Sequence, residues 1–131
     1  MHREKIFKNA LQVASLKGNE AIVRLLLENG ADVNAQRGYY GNALQAASLE
    51  GYEAIVGLLL EKGADVNAPG GHYGNSLQAA SLKGHEAIVG LLLEWGADVN
   101  AQGGYYGNAL QAATFNHHET IVKLLAEKMG W

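Results

Sequence analysis

Three glycine-rich segments lie directly before apolar segments, and their residue types could bind phosphate. They occupy residues 38–42, 71–75 and 104–108 and have the sequences GYYGN, GHYGN and GYYGN. A glycine-rich loop that opens a helix can hold an anion on its free backbone N–H groups. None of the three continues with the lysine of a phosphate-binding loop, and a catalytic loop is needed once rather than three times. We therefore interpret these segments as structural turns and not as nucleotide sites.

One local cluster has residue types that could bind a metal ion, namely His117, His118 and Glu119. Adjacent histidines point to different sides of a helix or turn, and no further histidine follows at the spacing of a zinc-binding helix. The chain has no cysteine, and no serine–histidine–acid arrangement or paired carboxylate stands out. We predict no metal site, no cofactor and no enzyme activity.

The composition is that of an ordinary globular chain, with 48 % apolar and 18 % charged residues among 131. The net charge of −3 argues against nucleic-acid binding through a basic face. The apolar runs are too short to cross a membrane, and the first residues lack the apolar region of a signal peptide. Together with the absence of cysteine, these features favour a cytoplasmic protein.

The chain repeats itself every 33 residues. Gly30, Gly63 and Gly96 each begin the sequence GADVNA, and residues 30–62 and 63–95 are identical at 26 of 33 positions. A period of this length is typical of a stacked repeat protein, in which no single unit can bury its own core. The repeats run from about 1 to 29, 30 to 62, 63 to 95 and 96 to 131, and we predict one domain over residues 1–131.

Each repeat has the local pattern of two short helices. Asn42 is a suitable N-cap for a helix over residues 43–49, and Gly51 can end that helix in a left-handed conformation. A second apolar pattern at helical spacing predicts a helix over about residues 53–62. Residues 65–73 contain turn-forming residues and predict a hairpin-like connector. Helices this short are not stable alone, so stacking on neighbouring repeats must stabilise them.

These residues resemble the ankyrin repeat family. The match rests on GADVNA, on AASLKGHEAIV and on LLLE followed by glycine, all at the same period. The resemblance implies an all-α solenoid of stacked helix pairs joined by β-hairpin-like loops. The form YYGNALQAA is similar to repeats of fungal NACHT-type sensor proteins. The alternative origin is an engineered, consensus-like array, because its repeats would also be nearly identical.

The sequence departs from the family pattern in the turn before the first helix. Asn42 replaces a threonine and Gln45 a histidine, so we expect an amide–amide hydrogen bond between their side chains. Tyr40 stands where glycine is usual, and we expect Gly38 and Gly41 to adopt positive φ. The charged segment MHREKIFK at the start is expected to cap the stack where no repeat precedes it.

The resemblance implies that hairpin tips and first helices form a concave surface that binds a protein partner. Positions that differ between repeats, beside an apolar stripe on the first helices, mark this surface. Trp95 is added because its counterparts in the other repeats are polar, so we expect it to be exposed and to act as a hot spot or a self-association site. The predicted partner-binding residues are Arg37, Tyr39, Leu49, Glu50, His72, Leu82, Lys83, Trp95, Tyr105, Phe115 and Asn116.

Non-catalytic binding of a protein partner is therefore the predicted function, and the partner's identity is not encoded in these patterns. Three alternatives stay open: a self-assembling or structural module with weak homo-oligomer formation, a recognition fragment of a larger sensor, and an engineered scaffold without a natural partner. The leucine stripe that includes Leu49 and Leu82 also has an alternative interpretation, in which it forms core between repeats instead of contacting a partner. Tyr40, Tyr73 and Tyr106 do not vary and are expected to pack between the hairpins.

Overall fold

A computed structural model describes the backbone of residues 3–131 and the side chains of residues 10–131. The helices of this part of the chain form four successive pairs, one pair in each repeat. Their bounds are α1 Arg3–Lys17, α2 Glu20–Glu28, α3 Ala43–Glu50, α4 Glu53–Glu61, α5 Ser76–Lys83, α6 Glu86–Glu94, α7 Ala109–Phe115 and α8 Glu119–Lys128. The all-α solenoid of stacked helix pairs is thereby confirmed.

The first helix of each inner repeat begins and ends as its sequence predicts. The Asn42 Oδ1 accepts a hydrogen bond of 2.8 Å from the Gln45 N–H, which satisfies one of the donors exposed at the helix start. At the other end Gly51 has φ +86°, a left-handed conformation that a side chain would strain. The same cap recurs at Asn75 and Asn108.

The first helices form the central row of the stack. Helices α1, α3, α5 and α7 pack against each other in chain order, and each second helix packs mainly against the first helix of its own repeat. Ala46, Ala79 and Ala112 are fully buried, and their small side chains let adjacent first helices approach closely. Leucines such as Leu44 and Leu77 fill the space between the two helix layers.

Polar side chains also connect successive repeats. The Asn34 Nδ2 donates to the Gly63 carbonyl at 3.1 Å, and the Asp65 N–H donates to the Asn34 Oδ1 at 2.7 Å. Asn67 makes the equivalent bonds to Gly96 and Asp98. The recurrent GADVNA sequence thus supplies both partners of an inter-repeat contact. Its repetition is explained by this contact, because each copy bonds to the next one.

Repeat 1 differs from the others in its first helix. Helix α1 has 15 residues, whereas α3 and α5 have eight, because α1 begins at Arg3, well before the position that corresponds to Ala43. The predicted charged cap MHREKIFK falls on side chains outside the described residues. Within the described part of the chain, no helix is both long and apolar enough to cross a membrane.

Candidate functional site

The glycine-rich segments form tight hairpins between repeats. Residue pairs Arg37 and Gly41, Gly70 and Gly74, and Gly103 and Gly107 each form an isolated antiparallel bridge. In the first hairpin, Gly38 has φ +62° and Gly41 has φ +81°, which confirms the expectation for the two glycines. Tyr39 and Tyr40 lie between these two glycines and therefore at the tip of the hairpin.

The tips of the three hairpins carry one continuous stack of aromatic rings, which we call the tip row: Tyr39, His72 and Tyr105. The rings of Tyr39 and His72 are 4.7 Å apart and inclined by 10°, and those of His72 and Tyr105 are 5.2 Å apart and inclined by 20°. Tyr39 and Tyr105 remain 53 % and 72 % exposed, and His72 is half-buried between them. The tip row is therefore an ordered aromatic surface open to solvent.

Backbone hydrogen bonds hold the same three residues. The His72 N–H donates to the Tyr39 carbonyl at 2.7 Å, and the Tyr105 N–H donates to the His72 carbonyl at 2.8 Å. The hairpins are joined at their tips as well as at their bases, where Asn34 and Asn67 bond forward. A hairpin that is hydrogen-bonded at its tip and at its base loses little conformational entropy when a partner binds.

The invariant tyrosines lie behind the tip row. Tyr73 meets the rings of Tyr39 and His72 edge to face, at 5.6 and 4.9 Å, and is half-buried. Burial raises the pKa of the Tyr73 phenol well above its ordinary value, and the neighbouring Tyr39 phenol adds to that shift. The expectation that these tyrosines pack between hairpins is confirmed at this position, and the phenol stays protonated in the physiological range.

The row continues toward the first helix of the last repeat. The ring of Tyr106 is 5.2 Å from that of Phe115, the final residue of α7, and Phe115 is 62 % exposed. Of the predicted charged residues, Arg37 is exposed on the first hairpin, and Glu50 and Lys83 are exposed at the ends of α3 and α5.

Leu49 and Leu82 of the apolar stripe on the first helices are core, which corrects the expectation that they contact a partner, whereas Phe115 of the same stripe is exposed. Leu49 and Leu82 are each 4 % exposed, because the following repeat covers them. All residues of α3 before Glu50 are buried, and the same holds for α5 before Lys83. In these two repeats the first helix therefore offers a partner only its final charged residue.

Two further candidates lie outside the tip row. Asn116 is exposed, but its Nδ2 donates to the Leu82 carbonyl of the preceding repeat at 2.8 Å, so part of its side chain has a structural role. Trp95 is the C-cap of α6 and is 48 % exposed, as its polar counterparts indicated. No ring contact joins Trp95 to the tip row in the described part of the chain.

His117 and His118 both have structural positions at the start of α8. His118 Nε2 donates to the Leu82 carbonyl at 3.0 Å, and His117 has φ +60°, in the place where other repeats have glycine. The residues that the structure describes contain no group of three or more potential metal ligands.

Gln45 and His85 join the repeats in ways that sequence reasoning missed. The Gln45 Nε2 donates to the Gly70 carbonyl at 2.9 Å, so the side chain binds the next hairpin and the expected amide–amide bond with Asn42 is wrong. The His85 Nε2 donates to the Leu49 carbonyl at 2.9 Å. The signal for His85 was available, because an aromatic or imidazole ring follows the helix-ending glycine of the preceding repeat by 34 residues each time.

Comparison with protein families agrees with this architecture. The family model described as ankyrin repeats (3 copies) matches residues 2–70 and 42–103, well over half of the chain. The protein belongs to the ankyrin repeat family. Members generally act as protein–protein interaction modules and are generally non-catalytic. Among curated proteins, no match was found.

Proposed function

We propose that this protein binds a protein partner through the tip row and the groups beside it. The observation that carries the proposal is the stack of Tyr39, His72 and Tyr105, which keeps two aromatic rings more than half exposed in a fixed arrangement. We propose further that the four repeats, over residues 1–131, act as one domain that presents this row.

The chemistry of the row suits a protein surface. Both faces of the His72 ring are occupied by its neighbours, so a partner meets ring edges, tyrosine hydroxyls and the outer faces of Tyr39 and Tyr105. Tyrosine supplies large contact area and a hydrogen-bonding group with few rotatable bonds, and is therefore common at binding hot spots. Because the stack exists before binding, little side-chain entropy is lost.

We propose that exposed charged side chains also contact the partner. Arg37 lies at one hairpin tip, and Glu50 and Lys83 alternate in sign at the ends of successive first helices. Such alternation favours a partner surface of mixed charge and disfavours a polyanion, as the net charge of −3 also does. The proposed partner is therefore a folded protein or a peptide segment. We do not propose nucleic acid or membrane lipid as partners.

An affinity-capture experiment with matched variants of the protein tests this proposal. The wild-type protein and a Tyr39→Ala/Tyr105→Ala variant are immobilised, and bound proteins are compared by quantitative mass spectrometry. Trp95→Lys serves as a control, because it changes an exposed aromatic residue away from the row. We expect at least one protein that is captured by the wild type and by Trp95→Lys but lost with the row variant.

The captured protein is then purified and titrated calorimetrically against all three forms. Loss of two hot-spot rings is expected to weaken binding by about a hundredfold, since each costs about 1.4 kcal/mol or more. Equal affinity for the wild type and the row variant would overturn the proposal, as would capture that depends on Trp95 alone.

The origin and the compartment of the protein are separate proposals. The YYGNALQAA form supports origin in a fungal NACHT-type sensor, where the module would recognise a protein signal, and the engineered array is its alternative. The absence of cysteine supports a reducing compartment such as the cytoplasm.

A further inference from the structure

The first repeat exposes an apolar surface on the side away from the other repeats, which we call the N-terminal end face: Val13, Ile22 and Leu25. These side chains are 52 %, 43 % and 57 % exposed. Their counterparts in repeat 2 are Ala46, Ile55 and Leu58, which are 0 %, 2 % and 5 % exposed. The positions of Val13 and Ile22 are core in all three other repeats, and the later counterparts of Leu25, Leu91 and Leu124, are half-buried. Single exposed apolar residues are ordinary, but three that are covered wholly or partly in every other repeat form a surface that a neighbour would cover.

The last repeat shows what normally covers these positions. In the described part of the chain repeat 4 packs on repeat 3, and its Ala112 and Ile121 are 0 % and 1 % exposed. The preceding repeat therefore supplies the burial, and the described residues provide no such contact for repeat 1. The surface that would bind the N-terminal end face is the following side of an ankyrin repeat.

Such a surface is present at the other end of the same chain, and we call it the C-terminal end face: Phe115, His117 and Val122. Phe115 is 62 % exposed where Leu49 and Leu82 are 4 % exposed, and Val122 is half-buried where Val56 and Val89 are fully buried. A shallow cleft of about 270 Å³ lies here, lined by Thr114, His117, Glu119, Val122 and Lys123.

We propose that the C-terminal end face of one molecule packs on the N-terminal end face of a second copy, so that chains associate head to tail. The two faces are the two halves of a contact that occurs three times inside the molecule, between each repeat and the next. This inference does not rest on the proposed function, because neither end face includes a residue of the tip row. Phe115 is the one end-face residue placed beside the row, through its contact with the ring of Tyr106.

The sizes of two side chains favour a second copy over an ordinary further repeat. At the internal junctions a ring lies directly over a glycine: Tyr52 over Gly18, His85 over Gly51 and His118 over Gly84, so close that a Cβ would be 2.6 Å from the ring. At the C-terminal end face His117 replaces the glycine, and a following ring would collide with its Cβ. Repeat 1 has Asn19 in place of the ring, which is smaller.

The junction between copies should be weaker than the internal ones. Val13 is larger than the alanines at its counterpart positions, and Phe115 is larger than the leucines, so packing is less close. A head-to-tail contact of this kind does not close on itself, and it therefore produces an open series of oligomers rather than a fixed dimer.

Sedimentation velocity over a wide range of concentrations tests the inference with wild-type protein. We expect the weight-average mass to rise from 14.0 kDa with increasing concentration and to exceed that of a dimer. Leu25→Lys alters only the N-terminal end face and Phe115→Lys only the C-terminal one. Burying either lysine is costly, so each variant alone should raise the concentration needed for association by about tenfold or more.

Mixing the variants gives the sharpest result. Each variant retains the face that the other has lost, so an equimolar mixture should form a dimer and nothing larger. Val13→Lys provides a second N-terminal variant should Leu25→Lys unfold, and circular dichroism verifies folding. Trp95→Lys and Tyr39→Ala/Tyr105→Ala should associate like the wild type, which separates this interface from Trp95 and from the proposed function.

Three results would overturn the inference. The first is a wild-type mass that stays at the monomer value at every concentration. The second is association of Phe115→Lys alone to a dimer, which indicates that two N-terminal end faces pack against each other. The third is loss of association in Trp95→Lys, which places the contact at the tryptophan.

Discussion

The imidazole of His85 lies over Gly51 of the preceding repeat, and its Nε2 donates a hydrogen bond of 2.9 Å to the Leu49 carbonyl. The same relationship joins His118 to Gly84 and Leu82. Gly51 thus has two roles, since its φ of +86° ends α3 and its missing side chain leaves room for the ring. The histidine at this position connects the repeats and is not available for chemistry.

Gly51→Ala should destabilise the protein more than Gly63→Ala. Both glycines have positive φ, which costs an alanine about 1–2 kcal/mol, but only at Gly51 would the new Cβ collide, 2.6 Å from His85 Cε1. Chemical denaturation measures the two losses. His85→Ala should cost less in the Gly51→Ala background than in the wild type, and equal losses at the two glycines would show that the ring does not occupy this space.

Gln45→Ala should lower the free energy of unfolding by at least about 1 kcal/mol, because it removes the bond to Gly70 and leaves a cavity. Gln111 occupies the same repeat position but is exposed and has no following hairpin in the described chain, so Gln111→Ala should change stability by less than about 0.5 kcal/mol. Urea unfolding of both variants tests the difference. Similar values would contradict an inter-repeat role for the glutamine side chain.

Gly57→Ala and Gly90→Ala should each stabilise the protein by up to about 1 kcal/mol. Both glycines lie inside second helices, and a Cβ at either would have no atom within 4 Å beyond its own helix backbone and chain neighbours, so the substitution meets no obstacle from the rest of the chain. Gly63→Ala is the control, because Gly63 also has open space but has φ +96° and should lose stability. A loss at Gly57 comparable to that at Gly63 would contradict a helical backbone there.

The Tyr73 phenol should lower the free energy of unfolding as the pH rises into the alkaline range. Its pKa in the folded chain is raised by burial and then by neighbouring phenols, so the folded state keeps a proton that the unfolded state releases above pH 10. Stability is therefore complete below that pH and falls as the pH rises. Tyr73→Phe cannot titrate and should show a shallower fall than Tyr105→Phe, as measured by denaturation at several pH values. Parallel curves for the two variants would contradict partial burial of the Tyr73 phenol.

Much of the fold follows from local features of the sequence. The positions of Gly38, Gly41 and Gly51 predict positive φ because only glycine adopts it freely, and the structure agrees. The cap at Asn42 is likewise a matter of a few adjacent residues. These features recur at a fixed period, so a correct interpretation of one repeat extends to its neighbours.

The site was harder to predict, because it depends on contacts between repeats. Leu49 and Phe115 occupy the same repeat position, yet one is buried and the other exposed, since only Leu49 has a repeat after it. Residues 52 and 85 differ in type, yet tyrosine and histidine both provide a flat ring over the glycine of the preceding repeat, and only the structure shows that shared role. The stacking of the tip row depends on how three hairpins align, and no local pattern contains that information.

The central claim is that the tip row is built before any partner binds, and amide hydrogen exchange in the free protein tests it most directly. The N–H groups of His72 and Tyr105 donate to the preceding tip, whereas that of Tyr39 has no preceding hairpin to bond to among the described residues. We expect the first two amides to exchange at least about tenfold more slowly than the third. A tenfold difference corresponds to about 1.4 kcal/mol in the free energy of the opening that allows exchange. Equal, fast exchange at all three would show that the hairpin tips are not joined in the free protein and would contradict a preformed binding surface.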